Sequence, residues 1–460
     1  MFYNKQKLSD DNYIIWEKLE KLEKIDIEEI VSYYLQSAEF RQLQHYNNYY
    51  DVENSRLKHK VNDRHRKDVT PNEFTPTAYY KTVVDTMSGF MSSNISYETD
   101  EASQEQFIDE LNTLLDINDT DVKDMKSTIN ALAFNKGIEI VYTTGDGKTS
   151  PQIKFTSIDP RQMCLVYNNN IEPDLFCALR ITSSTNKDYD YNIDVIYADE
   201  WQYYYMKNGE IKEREQSRPL FFSECPVVVY RAEIVQNRSP FHQILNYIDA
   251  LDALVTGNTN DIQKLADAIL KLSLQLEDDD IKHLDQLKVI GGLAKEDIAE
   301  YITKDMSPEF RRYVSELFIK EIHKHSHTVD WFSDSTGSNE ASARALRVRL
   351  FDMMTYSKRI EKVIVKGFRK RINLIAELMN KAKGIEPGDI KIIFNREMPD
   401  NFLDLAPVLN QLTILSTERK LEMLGEDVQA EKERLDAEKE SNMQMFENNM
   451  RTEEDEEEQE

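Results

Sequence analysis

Apolar residues in the first 115 positions recur at intervals of three and four. The stripes are Trp16, Leu19 and Leu22, then Ile27, Ile30, Val31, Tyr34 and Leu35, and after an irregular insert Tyr79, Val83, Val84, Met87, Phe90 and Met91. This is the spacing of helices with one buried face, so the region reads as mainly helical, broken once. A further helix is predicted over 122–135. From about 138 to 230 the period changes to two: IEIVYTT, IKFTSI, MCLVY, FCALRIT, DVIYA, WQYYYM and VVVY read as strands, with turns at Gly145-Asp146-Gly147 and Asn208-Gly209.

Beyond this module the helical period returns. Ser239-Pro240 is a helix start with proline at the first helical position, and Ile244, Tyr247, Ile248, Leu251, Leu254 and Val255 carry the stripe to about Leu265. Gly257 interrupts it at about 1 kcal/mol relative to alanine. An acidic segment with Asp278-Asp279-Asp280 follows, with strand-like ILKLSLQL and LKVIGG and a turn at Gly291-Gly292. A second helix runs from Ser307-Pro308 through Phe310, Val314, Leu317, Phe318 and Ile322. Two helices thus bracket a small β-containing insertion that protrudes as a tip. WFSDSTGSNEAS (331–342) is a polar loop. The longest helix is predicted over 341–383, which at about 1.5 Å per residue spans about 60 Å. Its stripe is Leu346, Leu350, Met353, Ile360, Val363, Ile364, Phe368, Ile372, Ile375 and Met379, with a bend expected at Gly367. A strand over 390–396, a turn at Met398-Pro399-Asp400 and helical pieces from 402 to about 445 complete an α+β chain.

Composition then narrows the function. The 460 residues carry a net charge of −27, so attraction to phosphate is not an overall property and any nucleic-acid contact is local. Two islands oppose the trend: 56–67 at +5, which also fits a solvated charged loop, and 341–371 at +8. The last eight residues hold seven acids and are expected to be disordered. Cys164, Cys177 and Cys225 form no CxxC pair, which argues against a disulfide framework or zinc site and for a reducing compartment. No apolar run approaches the roughly 20 residues of a membrane span, and the N-terminus lacks a signal-peptide core, so a cytosolic start and no membrane partner are expected. Walker A, GxSxG, HExxH and EF-hand patterns are absent; no enzyme activity and no cofactor are expected.

Three clusters invite chemistry. His323, His325 and His327 alternate, but at a helix end such residues splay apart, so no metal site is expected. Asp278, Asp279 and Asp280, with Glu277 before them and Lys282 after, fit a solvated, partner-facing tip better than a cation site, because consecutive acids do not converge on one ion. WQYYY (201–205) offers base-stacking rings, yet its period places one side of the strand in a core.

The order of elements resembles the portal proteins of tailed double-stranded DNA bacteriophages, in the branch typical of phages of Gram-positive bacteria. HYNNYYDVEN, a basic stretch and TPTAYYKTVVDTMSGFMSSNISYE are similar to the family's basic insert and the helix ending "vDt..Gf..g.pi.y"; SIDPRQMCLVYN is similar to "DPr....vy". CPVVVYRAEIVQNRSPFHQILNYIDALDALVTGNTNDIQKLADAILKL resembles the family's "iPvv.y" segment with its "dAil" end, TGSNEASARALRVRLFDMM its "sg.Alk.kl..l", and IIFNREMPDN its "i.f.r..P.n". The five matches are colinear over most of 46–401.

The resemblance implies a phage portal fold: an N-terminal α+β wing over 1–238, stem helix 1 over 239–266, a clip over 267–306, stem helix 2 over 307–328, a tunnel loop over 329–342, a wing-spine helix and strand over 343–400, a helical crown over 401–446 and an acidic tail over 447–460. It implies a ring, usually of twelve subunits, at one capsid vertex of a virion assembled in the host cytoplasm, through which viral DNA is packaged and ejected. The implied partners are the terminase large subunit, which supplies the energy of packaging, a head-completion or adaptor protein, the major capsid and scaffold proteins, and non-specifically held duplex DNA. The clip candidates are Asp278, Asp279, Asp280 and Lys282; the tunnel-loop candidates are Trp331, Ser333, Asp334, Ser335, Thr336, Gly337, Ser338 and Asn339, followed by Arg344, Arg347 and Arg349. The loop has one glycine, with Glu340 beside it, where relatives are often richer in Gly and Asn. The three arginines fit either DNA phosphate or acidic groups of a neighbouring subunit. A scaffold or minor capsid protein without a channel shares the acidic composition and long helices, and is the alternative.

Overall fold

The computed structural model describes residues 14–17, 20–53, 74–92, 94–99, 105–144, 152–185, 188–266, 269–272, 299–302, 308–330, 343–384, 390–395 and 434, with backbone alone over 260–266, 269–272, 299–302 and 343–349. By internal contacts the chain divides into two units, residues 1–331 with 350–397 and residues 332–349 with 398–460. The first is described below.

Its elements are, in order, β1 (Ile14–Trp16), α1 (Lys24–Gln36), α2 (Ala38–Tyr50), α3 (Tyr79–Met91), β2 (Asn94–Glu98), α4 (Glu105–Ile117), α5 (Thr120–Phe134), β3 (Gly137–Thr144), β4 (Gln152–Ile158), β5 (Met163–Asn168), β6 (Leu175–Ser183), β7 (Tyr191–Ile196), β8 (Glu200–Lys207), β9 (Glu210–Pro219) and β10 (Val227–Tyr230). There follow α6 (Leu245–Ala266), β11 (Ile269–Leu272), β12 (Ala299–Ile302), α7 (Pro308–Ser326), α8 (Ala343–Lys383) and β13 (Lys391–Asn395). The α+β class is the one expected from the change of period.

This unit rests on a six-stranded sheet in the order β1-β5-β6-β7-β8-β9, with β1 parallel to β5 and the other neighbours antiparallel. Alternation sends Cys164, Val166, Cys177, Leu179, Ile181, Ile193, Val195, Tyr204 and Met206 to one face, where α1 lays Ile27, Ile30, Val31 and Tyr34 on them. Each aliphatic side chain so buried contributes about 1.5–3 kcal/mol. The odd positions of WQYYY face the other way: Trp201 and Tyr203 stack at 5.9 Å, and Arg214 and Arg180 share Asp194 at 2.9 and 3.4 Å. The three cysteines are buried free thiols, and burial pushes the Cys225 thiol up to about 12.

Four expectations are corrected. Trp16 belongs to a strand, not a helix, and β2 likewise interrupts the region read as helical; both strands are too short to show a period. β9 was not foreseen because, of EIKEREQSRP, one residue, Ile211, is buried; its charges mark a sheet edge, where they discourage pairing with another chain. The helix expected at Ser239-Pro240 begins at Leu245, after a short 3₁₀ turn at His242–Ile244. Ahead of that turn the Ser239 hydroxyl accepts from Phe241 N at 3.1 Å and donates to Leu132 O at 2.8 Å.

The fourth concerns Gly367. α8 continues as helix through it, and the glycine answers to packing: a Cβ there would lie 2.5 Å from Cδ1 of Tyr230. Tyr230 ends β10 of the second sheet, ordered β10-β3-β4, so α8 is brought close to that sheet at this point. Gly367→Ala is expected to destabilise by about 1–3 kcal/mol through overpacking. Gly257→Ala, where no atom lies within 4 Å of the added Cβ, should instead stabilise by about 0.5–1 kcal/mol. Denaturant midpoints of the two variants check the opposite signs.

Candidate channel and partner-facing elements

α6 and α7 are the two helices that enclose the insertion. They pack on each other, with Arg311 Nη1 donating to Asn258 Oδ1 at 2.7 Å. The first half of α6 is fixed in the core of the first unit: Leu245, Ile248 and Leu251 are buried, and the buried carboxylate of Asp252 accepts from Thr77 N and Thr77 Oγ1 at 2.7 and 2.6 Å. The tyrosines of HYNNYY supply further ties. Tyr49 donates to Asp249 at 2.6 Å, Tyr50 donates to Asp85 at 2.8 Å, and Tyr46 receives the Ser239 N–H at 3.2 Å. Where α6 leaves and α7 begins, β11 and β12 pair antiparallel, Ile269 opposite Ile302. The predicted strand LKVIGG, the Gly291-Gly292 turn and the acidic cluster Asp278, Asp279, Asp280 with Lys282 lie outside the described residues.

α7 has more apolar surface than the described residues cover. Ile322 is buried, but Phe310, Tyr313 and Leu317, at positions i, i+3 and i+7, are 62%, 62% and 40% exposed. Three large apolar side chains on one helical face mark an interaction surface.

The far end of α7 is fastened to three other helices by its histidines. His323 lies with Nδ1 2.9 Å from Thr328 Oγ1 and its ring edge toward Tyr79 of α3; burial holds its pKa below the ordinary value. His325 pairs with Glu321 at 3.2 Å and stacks on Tyr247 of α6. His327, with φ of 56°, sits 2.9 Å from Asp352 and stacks at 4.2 Å on Tyr356 of α8. The three rings splay as a helix end requires, and among the described residues no three metal-type ligands converge. These contacts hold the two ends of the chain from which the 331–342 segment departs. Trp331, Ser333, Asp334, Ser335, Thr336, Gly337, Ser338 and Asn339 lie outside the described residues, as do the elements expected beyond 396. Arg344, Arg347 and Arg349 fall within the first two turns of α8, described by backbone alone.

The residue that sequence reasoning missed is Arg371. It was counted with the basic residues of its helix, yet it is fully buried. Its guanidinium meets Asp124 Oδ1 and the Tyr97 hydroxyl, and Nη2 donates to Asp124 Oδ2 at 3.2 Å, while Glu139 Oε2 stands 3.5 Å away. The rings of Phe155 and Phe368 lie 4.8 and 5.2 Å from the guanidinium carbon. One side chain of α8 thereby grips β2, α5 and β3. The signal was present: residue 371 shares the apolar stripe of Phe368 and Ile375, where a charge needs a buried partner.

Glu139 is the weak member of the cluster. It is fully buried, receives one hydrogen bond, from the Tyr230 hydroxyl at 3.1 Å, and has no hydrogen bond to Oε2. Burial pushes its pKa up to about 7, against the opposing pull of Arg371.

Two comparisons complete the picture. The model of the family "Phage portal protein, SPP1 Gp6-like" matches residues 33–445. The chain belongs to that family of phage portal proteins: it is a structural protein of the virion, located at the capsid and acting as a portal channel for viral DNA. The scaffold alternative is not favoured. Among solved structures, it is similar to the neck of an empty gene transfer agent particle computed with C6 symmetry, at 12% identity and a TM-score of 0.43, covering 77% of this chain and 91% of that one. It is also similar to the neck of the native particle computed with C12 symmetry, at 11% identity and a TM-score of 0.40, covering 76% and 90%. No curated protein matches it.

The buried cluster yields a prediction in two parts. Arg371→Met strands Asp124 and Glu139 in the core and is expected to cost about 3–5 kcal/mol, read as a lower denaturant midpoint. Glu139 has a folded-state pKa above the ordinary 4.5, so its contribution is full below that value and is lost as pH rises through about 7. Glu139→Gln should flatten this decline, which is on the order of 3 kcal/mol over the window. Stability curves of variant and parent from pH 4 to 8 that run parallel refute the assignment.

Proposed function

We propose that the chain closes into a ring-shaped homo-oligomer, of twelve subunits by family resemblance, in which α6 and α7 form the stem of the DNA channel. The observation that carries this reading is the α7 face of Phe310, Tyr313 and Leu317, exposed in the single chain, which a neighbouring subunit covers in the ring. A ring closed by rotation also uses every such face and leaves no open filament end.

On this reading the β11–β12 ladder begins the clip, and Asp278, Asp279, Asp280 and Lys282 present it to the terminase during packaging and to a head-completion protein afterwards. Major capsid and scaffold proteins meet the ring from outside, and assembly takes place in the host cytoplasm. The segment 329–342 forms the tunnel loop, with Trp331, Ser333–Asn339 lining the narrowest level and Arg344, Arg347 and Arg349 bracing it against acidic groups of the next subunit or touching phosphate. The net charge of −27 on each subunit makes the wall repel the duplex, so that local basic contacts stay transient and sequence-independent. Packaging energy comes from the terminase.

Light scattering of the purified chain tests the ring: a single species many times the 53.9 kDa subunit is expected, and a strict monomer at micromolar concentration and moderate salt refutes it. The triple variant Phe310→Ser, Tyr313→Ser and Leu317→Ser should shift the mass to the monomer with unchanged circular dichroism. Reversing Asp278, Asp279 and Asp280 to lysine should weaken terminase binding in a pull-down while rings persist; loss of the rings instead makes the insertion structural. For Arg347→Gln with Arg349→Gln, dissociated rings of folded subunits support bridging and intact rings with altered packaging support phosphate contact. Intact rings that package normally remove both residues from the channel.

A further inference from the structure

We infer that the solvent face of α8 is a contact surface for the phosphate backbone of duplex DNA, formed by Lys358, Lys362, Lys366 and Arg369. This rests on the portal-channel role and adds to it a site away from the clip and tunnel loop.

The four residues are all exposed. At 3.6 residues per turn, positions 358, 362, 366 and 369 fall within an arc of about 80°, and they extend over about 17 Å of helix. Thr355 and Asn373, exposed on the same face, continue it with polar groups. From 353 to 376 the helix has one acidic residue, Glu361, which is partly buried to the side of the arc. The result is a cationic stripe on a protein of net charge −27.

The four have no carboxylate partner among the described residues; exposed Lys126, Lys207 and Lys320 share that, but each of those stands on a different element, whereas these four form one row on one helix. Arg359 and Lys370, on the same helix but outside the stripe, are engaged by Glu233 at 2.6 Å and Glu224 at 3.2 Å. Elsewhere Lys21 meets Asp199 and Glu200, Lys24 meets Glu213, and Lys381 meets Glu377. Among the described residues no carboxylate pairs with any of the four stripe residues.

Charge and composition together select the occupant. The centre of a stable protein interface is apolar and depleted in lysine. Among the described side chains of α8 the large apolar residue that stands exposed is Phe351, beyond the N-terminal end of the stripe. Over these turns the apolar side chains are at most partly exposed, as at Met354, Val363 and Val365, which offers a second protein surface little to bury. Duplex DNA carries one negative charge per about 1.7 Å of its axis, so about ten phosphates on the two strands lie along the length of the stripe. Mobile lysine heads on long stems suit a polyanion held without fixed geometry. The stripe itself does not move, because Phe368 and Arg371 anchor the opposite face of the same turns.

The test uses the full chain in its assembled form. Binding of a fluorescent 30-base-pair duplex is followed by anisotropy at several salt concentrations for three proteins: the parent, the quadruple variant Lys358→Gln, Lys362→Gln, Lys366→Gln and Arg369→Gln, and a control with Lys24, Lys126, Lys207 and Lys212 changed to glutamine. The quadruple variant is expected to form rings of parental mass, to bind about tenfold or more weakly at low salt, and to lose about 3–4 from the slope of log K against log salt for each stripe engaged. The control should keep the parental slope. Equal losses in control and variant overturn the inference, since net charge alone then explains them, and so does parental binding by the variant. A variant that fails to form rings while the control forms them also overturns it, and makes the stripe a contact between copies of the chain. If the parent itself forms no ring, the ring reading falls, and the stripe then stands or falls on the same three-way comparison of slopes.

Discussion

The buried guanidinium of Arg371 is the constraint on which the packing of α8 depends. A charge with no exposed surface is tolerated only where partners satisfy it, and here those partners come from three separate elements: Tyr97 of β2, Asp124 of α5 and Glu139 of β3. Helical packing alone leaves a long helix free to slide or roll by a residue against a sheet. A planar, forked donor surrounded by named acceptors does not. The register of α8 is therefore set at residue 371 and again at Gly367, where the Tyr230 ring fits against bare backbone. Tyr230 serves both contacts, since its hydroxyl donates to Glu139.

A helix fixed at that level carries its consequences to both ends. Toward its N-terminus, Asp352 and Tyr356 receive His327, so the end of α7 is tied to the same rigid body. Toward its C-terminus, the chain returns as β13 and pairs with β2, Phe394 opposite Ile95, close to the cluster through the contact of Phe394 with Phe368. α6 and α7 thus rise from a base that is held by aromatic and hydrogen-bonded contacts rather than by apolar packing alone. That division lets the base set the direction of each helix while the apolar face of α7 stays exposed.

What the sequence made legible follows from how strongly each element repeats. α6, α7 and α8 declare themselves because a 3.6-residue period runs through many turns, and the Asn208-Gly209 hairpin because both residues take positive φ, at 54° and 89°. β1 has three residues and β9 one buried side chain, so neither carries a period to detect. The Ser239-Pro240 signal was read as a helix start; the serine hydroxyl is instead committed to Leu132 and to the tyrosine cluster around Tyr80. Arg371 shows the limit most plainly. Counting charges along a segment treats every arginine alike, and it is the register with Phe368 and Ile375 that separates the buried clamp from the exposed stripe. The clip and tunnel candidates were legible as polar interruptions between helices, but a polar interruption names no partner, and their roles came from family resemblance.

The cations of α8 are thereby sorted by geometry into three physical kinds. Arg371 is buried and spends its charge on internal partners. Arg359 and Lys370 lie at the edges of the exposed face and meet nearby carboxylates, at a worth of about 0–1 kcal/mol each in solvent. Lys358, Lys362, Lys366 and Arg369 occupy the middle of that face, where no carboxylate of the described chain comes within reach. Glu361 stands at i+3 from Lys358 without pairing to it, and neutralising the other three from within would have needed an acid at an i+3 or i+4 position, a change of little structural consequence on an exposed helix. Their isolation is therefore not imposed by the fold. On a subunit whose charge otherwise repels phosphate, a fixed row of unpaired cations is the local exception that a weak, sequence-independent grip on DNA requires.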